Sequence, residues 1–192
     1  MELQVTKVTT EQEQSVMAYI ICQRFAALTK GSPVGTSNLL NCMGIVIHNT
    51  VGRVGVVAHV EAQTSTEHYN AVVDKVLKAL IDKLNSYVDI GRFSVVLLGN
   101  AGGSDEKFCN GVEESLYKQA GPGRLDEVNI VDNRNGRAYG MIGGGAVFGS
   151  YHGCVYQPKK ETLWLYGWSS VVGRSESQPP DVETLEIQTE RN

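Results

Sequence analysis

Hydrophobic residues follow two different spacings in the first half of the chain. From Ser65 to Leu84 they recur every three or four positions, with Asp and Lys between them, which predicts an amphipathic helix. Residues 42–49 and 53–62 are instead continuous runs rich in β-branched side chains, separated by a short turn that contains glycine. Such runs are typical of a hairpin whose strands are buried on both faces.

Three further segments have patterns of their own. Residues 11–29 place apolar side chains near helical spacing, which predicts an N-terminal helix with Cys22 in the core. Residues 92–100 are typical of a strand, and the segment that follows predicts a second helix, ended by Gly121 and Pro122. The order strand, helix, strand, helix then leads into the C-terminal part of the chain.

The C-terminal part is predicted to be mostly sheet. Residues 126–170 contain short β-like runs interrupted by Asn-Gly and Gly-Gly-Gly, which favours strands joined by turns. Residues 176–192 are polar and contain two prolines, so they are predicted to form a tail with at most one late strand. We therefore expect one domain over residues 1–175 followed by that tail.

Composition excludes several classes of partner. The chain has 192 residues, 42% of them hydrophobic, and a net charge of −4, so it can bury a core but offers no basic surface for nucleic acid. No apolar stretch is long enough to span a bilayer, so no membrane partner is expected. The N-terminal residues have no secretory pattern, which predicts a cytosolic protein, with delivery into another cell by a specialised machine left open.

Neither a metal nor a cofactor is predicted. The four cysteines lie far apart with no C-x-x-C pair, and no histidine has a second ligand at helix or strand spacing. The Gly-Gly-Gly stretch at residues 143–145 is not followed by Gly-Lys-Ser/Thr, so it does not predict a phosphate loop. A working thiol is the remaining possibility for the cysteines.

Cys42 and His59 are the candidate catalytic pair. If the turn is centred on Thr50 to Gly52, Cys42 lies directly opposite His59, and cross-strand neighbours have Cβ atoms about 5 Å apart. An imidazole at that distance can take the proton of a thiol, which then attacks a carbonyl group. The alternative is an ordinary buried cysteine beside a strand histidine, in a domain that binds partners without catalysis.

The spacing of Thr36, Cys42 and His59 resembles that of a known family. The segments "SNLLNC", "MGIVIHNTVGRVGVV" and Ala58-His59 are similar to the chemoreceptor glutamine deamidases of the CheD type, over roughly residues 34–120. The chain also resembles protein N-terminal asparagine amidohydrolases and, more distantly, deamidating toxins of the cytotoxic necrotizing factor type. The resemblance implies an α/β (α+β) sandwich with mainly antiparallel sheet layers and flanking helices, with the catalytic core at residues 36–120.

The resemblance also implies roles for individual residues. Cys42 would be the nucleophile and His59 the base, while Thr36 would orient the imidazole or bind the substrate amide. Leu40 and Asn41 stand where the family usually has Gly-Ser, in the loop that shapes the oxyanion hole. Other positions predicted to contact substrate are Glu61, which departs from the family's usual continuation, and the aromatic residues Tyr166 and Trp168.

The expected reaction is hydrolytic deamidation of a carboxamide in a protein, through a cysteine thioester. The partner would be a protein substrate that bears Gln or Asn. An internal glutamine, an N-terminal asparagine and a host protein attacked by a secreted toxin or effector all stay open as versions of the same chemistry.

Overall fold

A computed structural model of the protein describes residues 3–7, 17–39, 42–61, 66–89, 91–99, 106–132, 138–140, 151, 153–167 and 173–188. The strands are β1 (Gln4–Lys7), β2 (Met17–Ile21), β3 (Phe25–Thr29), β4 (Val34–Thr36), β5 (Met43–Asn49), β6 (Val54–Val60), β7 (Phe93–Gly99), β8 (Leu125–Asp132), β9 (Ala138–Gly140), β10 (Gly153–Gln157), β11 (Thr162–Tyr166), β12 (Gly173–Arg174) and β13 (Val182–Glu186). The helices are α1 (Thr66–Tyr87), α2 (Glu106–Ala120) and a single 3₁₀ turn at Pro158–Lys160. Neither α1 nor α2 is long and apolar enough to cross a membrane.

The strands form two sheets. The six-stranded sheet has the order β1-β11-β10-β4-β2-β12, and the seven-stranded sheet has the order β13-β3-β6-β5-β7-β8-β9. Most neighbouring strands are antiparallel, while β1 and β11, β2 and β4, β2 and β12, and β7 and β8 run parallel. The predicted α+β sandwich is therefore confirmed.

The seven-stranded sheet is the middle of three layers. One of its faces packs against apolar residues of α1 and α2, such as Leu77 and Leu116. The opposite face packs against the six-stranded sheet, where Val46 and Val57 meet Tyr156 and Leu163. Because both faces are covered, β5 and β6 are buried along their whole length, which explains their continuous apolar runs.

The predicted hairpin is confirmed, but its predicted register is wrong by two residues. Gly44, rather than Cys42, lies directly opposite His59. The turn holds four residues, and the side-chain oxygen of Asn49 accepts hydrogen bonds from the backbone N–H groups of Val51 (3.0 Å) and Gly52 (2.8 Å). Since side chains alternate with a period of two, this shift leaves Cys42 and His59 on the same face of the sheet.

The predicted N-terminal helix is wrong over residues 17–29, and residues 11–16 lie outside the described part. The segment forms β2 and β3, which belong to different sheets and are joined by the turn at residues 22–24. Arg24 adopts a left-handed backbone conformation (φ 69°) in this turn. Pairing of β3 with both β6 and β13 outweighs the helical spacing of its side chains. Cys22, predicted to be in the core, is exposed.

The C-terminal residues belong to the sandwich as far as residue 188. The single late strand that the sequence analysis allowed is present as β13, which pairs with β3 at the edge of the seven-stranded sheet. The carboxylate of Asp181 accepts hydrogen bonds from the Ser32 backbone N–H (2.7 Å) and hydroxyl (2.5 Å), which ties the segment to the loop after β3. The late strand that the prediction allowed is thus present, and it attaches residues 182–186 to the seven-stranded sheet.

Candidate active site

Thr36 and His59 meet in the space between the two sheets. Thr36 is the last residue of β4 in the six-stranded sheet, and His59 is the last but one of β6 in the seven-stranded sheet. The Oγ1 atom of Thr36 lies 2.7 Å from Nδ1 of His59, and both residues are at most 1% exposed. One buried hydrogen bond therefore joins the two layers at this point.

A second contact of Thr36 favours one direction for this hydrogen bond. The Thr36 hydroxyl donates its only proton to the carbonyl oxygen of Ile21, at 3.3 Å. When the hydroxyl donates to Ile21, the proton in the 2.7 Å contact comes from His59, so that Nδ1 carries hydrogen and Nε2 carries a lone pair. This assignment gives His59 the tautomer that a general base needs at Nε2.

His59 is neutral at physiological pH. Burial lowers the pKa of its imidazole to about 4, and the nearby carboxylate of Glu61 opposes this shift only in part. The Nε2 atom is buried and has no hydrogen-bond partner among the described residues. A buried lone pair without a donor is costly, so this atom is poised to accept a proton from a thiol, a water or a substrate.

Cys42 lies just before β5, on the same face as His59. Its side chain is 5% exposed and belongs to the apolar cluster between the sheets, and Nε2 of Gln23 lies 3.7 Å from its sulfur. Because Gly44 is opposite His59, Cys42 is a diagonal neighbour of His59. Diagonal neighbours are about 7 Å apart, a separation that an aromatic ring can span.

Gly44, which lies opposite His59, has no side chain that could stand between Cys42 and His59. A Cβ atom added at Gly44 would lie 3.1 Å from Cδ1 of Leu39 and 3.2 Å from Cβ of Leu98. Leu39 and Leu98 therefore pack onto the bare backbone opposite the imidazole. A side chain at this position would have to displace these leucines by a few tenths of an ångström, and glycine leaves His59 bordered by aliphatic groups on that side.

A cavity of about 540 Å³ lies beside the imidazole. His59 forms part of its wall together with residues 22–25, with Ser37 and Asn38 after β4, and with Arg174 of the edge strand β12. This volume is in the range of sites that hold small molecules or a short segment of a peptide. The base is therefore next to a space in which a substrate group could bind.

The structure gives the predicted substrate contacts other neighbours. Glu61 forms a bidentate ion pair with Arg24: Nε of Arg24 lies 2.8 Å from one carboxylate oxygen and Nη2 lies 3.3 Å from the other. Both side chains are partly buried. Tyr166 is buried and donates a hydrogen bond to the backbone carbonyl of Thr36, at 2.8 Å, so it supports β4 and does not line the cavity. Leu40, Asn41 and Trp168 lie outside the described residues.

Several cavity residues were not predicted from the sequence. Gln23 and Arg24 follow Cys22 in the turn that the predicted helix concealed, and Arg174 is far away in sequence. Asn38 has a left-handed backbone conformation (φ 61°), which asparagine tolerates better than most residues. Among the residues that line the cavity, His59 is the one that the sequence analysis had assigned to catalysis.

A second buried polar cluster lies at the other end of β5. Nδ1 of His48 is 2.7 Å from the Tyr156 hydroxyl, and its Nε2 is 3.8 Å from the carboxylate of Glu161. Gly44, which is opposite His59, is four positions before His48 in β5, so the two histidines are about 13 Å apart along the strand direction. In the described ranges no three His, Cys, Asp or Glu side chains are grouped so that they could hold a metal ion.

Comparison with known proteins gives no family for this chain. No protein-family model matches the sequence, and no curated protein matches it. The site geometry is therefore the structural basis for a functional assignment.

Proposed function

We propose that this protein is a cysteine-dependent amidohydrolase that deamidates a glutamine or asparagine side chain of a protein substrate. The observation that carries the proposal is the Thr36–His59 hydrogen bond, which leaves a neutral imidazole with an unpaired Nε2 atom in a residue that lines the cavity. Cys42 supplies a thiol on the same face of the same hairpin. The spacing of Thr36, Cys42 and His59 also resembles that of the chemoreceptor deamidases.

The residues suggest a sequence of proton transfers. Nε2 of His59 takes the proton of Cys42, and the thiolate attacks the carboxamide carbon to form a tetrahedral intermediate. His59 then gives the proton to the departing nitrogen, so that ammonia leaves and a thioester remains. A water molecule, deprotonated by the same imidazole, attacks the thioester and releases the carboxylic acid and the thiol. Backbone N–H groups around Cys42 would hold the oxyanion.

Thr36 has a positioning role in this scheme. Its hydroxyl stabilises the tautomer with hydrogen on Nδ1 and holds the ring when Nε2 becomes protonated. Tyr166 in turn positions Thr36, because its hydroxyl donates a hydrogen bond to the backbone carbonyl of Thr36. We propose a cytosolic site of action, since catalysis by Cys42 needs a reduced thiol.

The competing function is a binding domain without catalysis. It is favoured by the burial of Cys42, whose side chain is 5% exposed and packs among apolar residues such as Ile21 and Leu39. In that case Cys42 is a core residue and His59 an interior histidine that supports the joint between the sheets. The two functions differ in whether the thiol reacts.

Ammonia release from peptides tests the proposal directly. The substrates are peptides with an internal glutamine, an internal asparagine or an N-terminal asparagine, and mass spectrometry locates the residue whose mass rises by one deamidation. We expect wild type to deamidate one class, Cys42→Ala to release no ammonia, and Cys109→Ser, changed in α2, to keep the wild-type rate. If Cys42→Ala and wild type release equal amounts, the binding domain is the correct assignment.

A further inference from the structure

Cys22 differs from the other described cysteines in its exposure. It lies in the turn where the chain crosses from β2 in one sheet to β3 in the other, and its side chain is exposed. Cys42 and Cys154, in contrast, are buried between the sheets, and burial raises the pKa of Cys154 to about 12. Thiol reagents react with accessible thiols, so Cys22 is the described cysteine that a reagent in solution reaches first.

The position of Cys22 connects it to the candidate active site. It lines the 540 Å³ cavity whose wall includes His59, and it also lines an adjoining cavity of about 220 Å³ next to Tyr19 and Thr184. The Nε2 atom of His59 is buried and unpartnered in the described structure. A group attached to the sulfur of Cys22 therefore has room to lie in the cavity that His59 also lines.

Charged side chains at the cavity suit a ligand that carries carboxylates. Arg24 and Arg174 line the cavity, and so does Glu186. Arg24 is already engaged by Glu61, whereas Arg174 is exposed and forms no ion pair within the described residues. Arg174 is thus the cation that a carboxylate in the cavity would meet.

We propose that Cys22 is a modification site that accepts a low-molecular-weight disulfide with carboxylate groups, and that the adduct closes the cavity in front of His59. The sulfur of Cys22, as thiolate, attacks one sulfur of the disulfide, and a new bond forms to Cys22 while the reagent's own S–S bond breaks. The second half of the reagent leaves as a thiolate and takes up the proton that Cys22 lost. A dithiol reduces the mixed disulfide and restores the thiol of Cys22.

The modification site stands on exposure and cavity geometry alone, whereas its effect on catalysis rests on the proposed function. For that reason the test has two independent readouts. The probe is oxidised glutathione, applied to the folded full-length protein, followed by peptide mapping and by NMR of the imidazole nitrogens. A third measurement, of ammonia release, concerns only the effect on catalysis.

We expect a single glutathione adduct on the peptide that contains Cys22, removed by dithiothreitol and absent from Cys22→Ser and Cys22→Ala. The adduct shifts the ring signals of His59 and leaves those of His48, in the other cluster, unchanged. Cys109→Ser is the control, and it acquires the adduct as wild type does. In catalytic assays, the adduct abolishes deamidation by wild type, while Cys22→Ser has the same rate with and without oxidised glutathione.

Three results would overturn the proposal: no adduct at Cys22, an adduct at Cys42 instead, or an adduct at Cys22 that leaves the His59 signals in place. If wild type deamidates nothing, the proposed function fails, but the adduct and the shift of His59 signals remain measurable. If wild type is active and the Cys22 adduct leaves its rate unchanged, the modification site stands and its regulatory effect is rejected.

Discussion

The hydroxyl of Thr36 and Nδ1 of His59 are 2.7 Å apart, although each residue belongs to a different sheet. Replacing Thr36 with Val removes the hydroxyl with little change of volume, so the Nδ1 hydrogen loses its acceptor. We expect deamidation to slow by about 10-fold to 100-fold and the free energy of unfolding to fall by about 1 to 3 kcal/mol. Thr36→Ser, which keeps the hydroxyl, restores most of the rate.

Thr29→Val is the matched control for this substitution. Thr29 is also a buried threonine at the end of a strand, and its hydroxyl donates to the carbonyl oxygen of Ser32, at 2.7 Å. Denaturant unfolding should show a similar loss of stability, while the deamidation rate stays at the wild-type level. Equal rates for Thr36→Val and Thr29→Val would show that Thr36 does not position the imidazole.

The carboxylate of Glu61 influences the protonation of His59. It is the group that raises the pKa of the buried imidazole, against the larger lowering effect of burial. Glu61→Gln removes this charge, so the pKa of His59 should fall below its wild-type value of about 4. Because the base works in its neutral form, the acid limb of the pH–rate profile moves to lower pH. An NMR titration of the imidazole measures the shift.

Glu186→Gln provides the comparison, since Glu186 also lines the cavity but does not perturb the pKa of His59. Glu61→Gln should change the free energy of unfolding by no more than about 1 kcal/mol, because its partly exposed ion pair with Arg24 contributes little. Glu186 is exposed, so Glu186→Gln should have no larger effect. A pKa of His59 that is the same in Glu61→Gln and wild type would contradict the electrostatic assignment.

Acid should destabilise the protein through its buried histidines. Burial lowers the pKa of His48 to about 4, from the ordinary value of 6.5, with Glu161 opposing the shift. The unfolded chain therefore binds a proton more readily than the folded one, so this contribution is complete above pH 6.5 and is lost as pH falls towards 4. Between pH 7 and pH 4.5 the loss from His48 is about 2 to 3 kcal/mol.

His48→Gln removes this titration while it keeps a side chain able to bond the Tyr156 hydroxyl. Urea unfolding at both pH values should show a smaller acid loss in His48→Gln than in wild type, by about 2 to 3 kcal/mol. His68→Gln is the control, because His68 lies on the exposed side of α1. An unchanged acid loss in His48→Gln would mean that other groups account for the acid sensitivity.

A side chain at Gly44 should displace its neighbours. Alanine there places a methyl group 3.1 Å from Leu39 and 3.2 Å from Leu98, directly across from His59. We expect Gly44→Ala to lose about 1 to 3 kcal/mol of stability and to slow deamidation about 10-fold to 100-fold, because small displacements of catalytic groups have large effects. Thermal unfolding and ammonia release measure the two effects.

Gly52→Ala separates packing strain from displacement of the site. The added methyl group would lie 2.6 Å from a methyl of Val88, in the turn at the far end of the hairpin. We expect a loss of stability comparable to that of Gly44→Ala, with an unchanged rate of deamidation. A similar fall in rate for both variants would assign the effect to general destabilisation.

The sequence predicts the parts of the fold in which local pattern and final environment agree. The helix α1, the strand β7, the helix α2 and the β5–β6 hairpin were all expected near their observed bounds. The face shared by Cys42 and His59 was also predicted, because an error of two residues in register keeps the face. The register itself depends on a four-residue turn held by the side chain of Asn49, which a count of residues does not reveal.

The segment at residues 17–29 shows why the rest was not predictable. The run "FAALT" has good helix formers, but each of its residues pairs with β6 or β13, strands that lie about 30 and 155 residues further along the chain. No glycine or proline marks the crossing at residues 22–24, so nothing local separates the two strands. The cavity beside His59 is formed by this crossing, and it was concealed by the same error.

The six-stranded sheet has a consequence for the time at which the site is completed. Thr36 ends β4, which pairs with β2 on one side and with β10 on the other, so its place in the sheet is complete only when residues 153–157 are present. A chain still being synthesised can form the hairpin with Cys42 and His59 long before that sheet exists. The imidazole then lacks its hydrogen bond to Thr36. In the proposed function, the thiol of Cys42 therefore has no oriented base while the chain is being synthesised. Completion of the second sheet would thus act as a delay that keeps a reactive site inactive until translation is nearly finished.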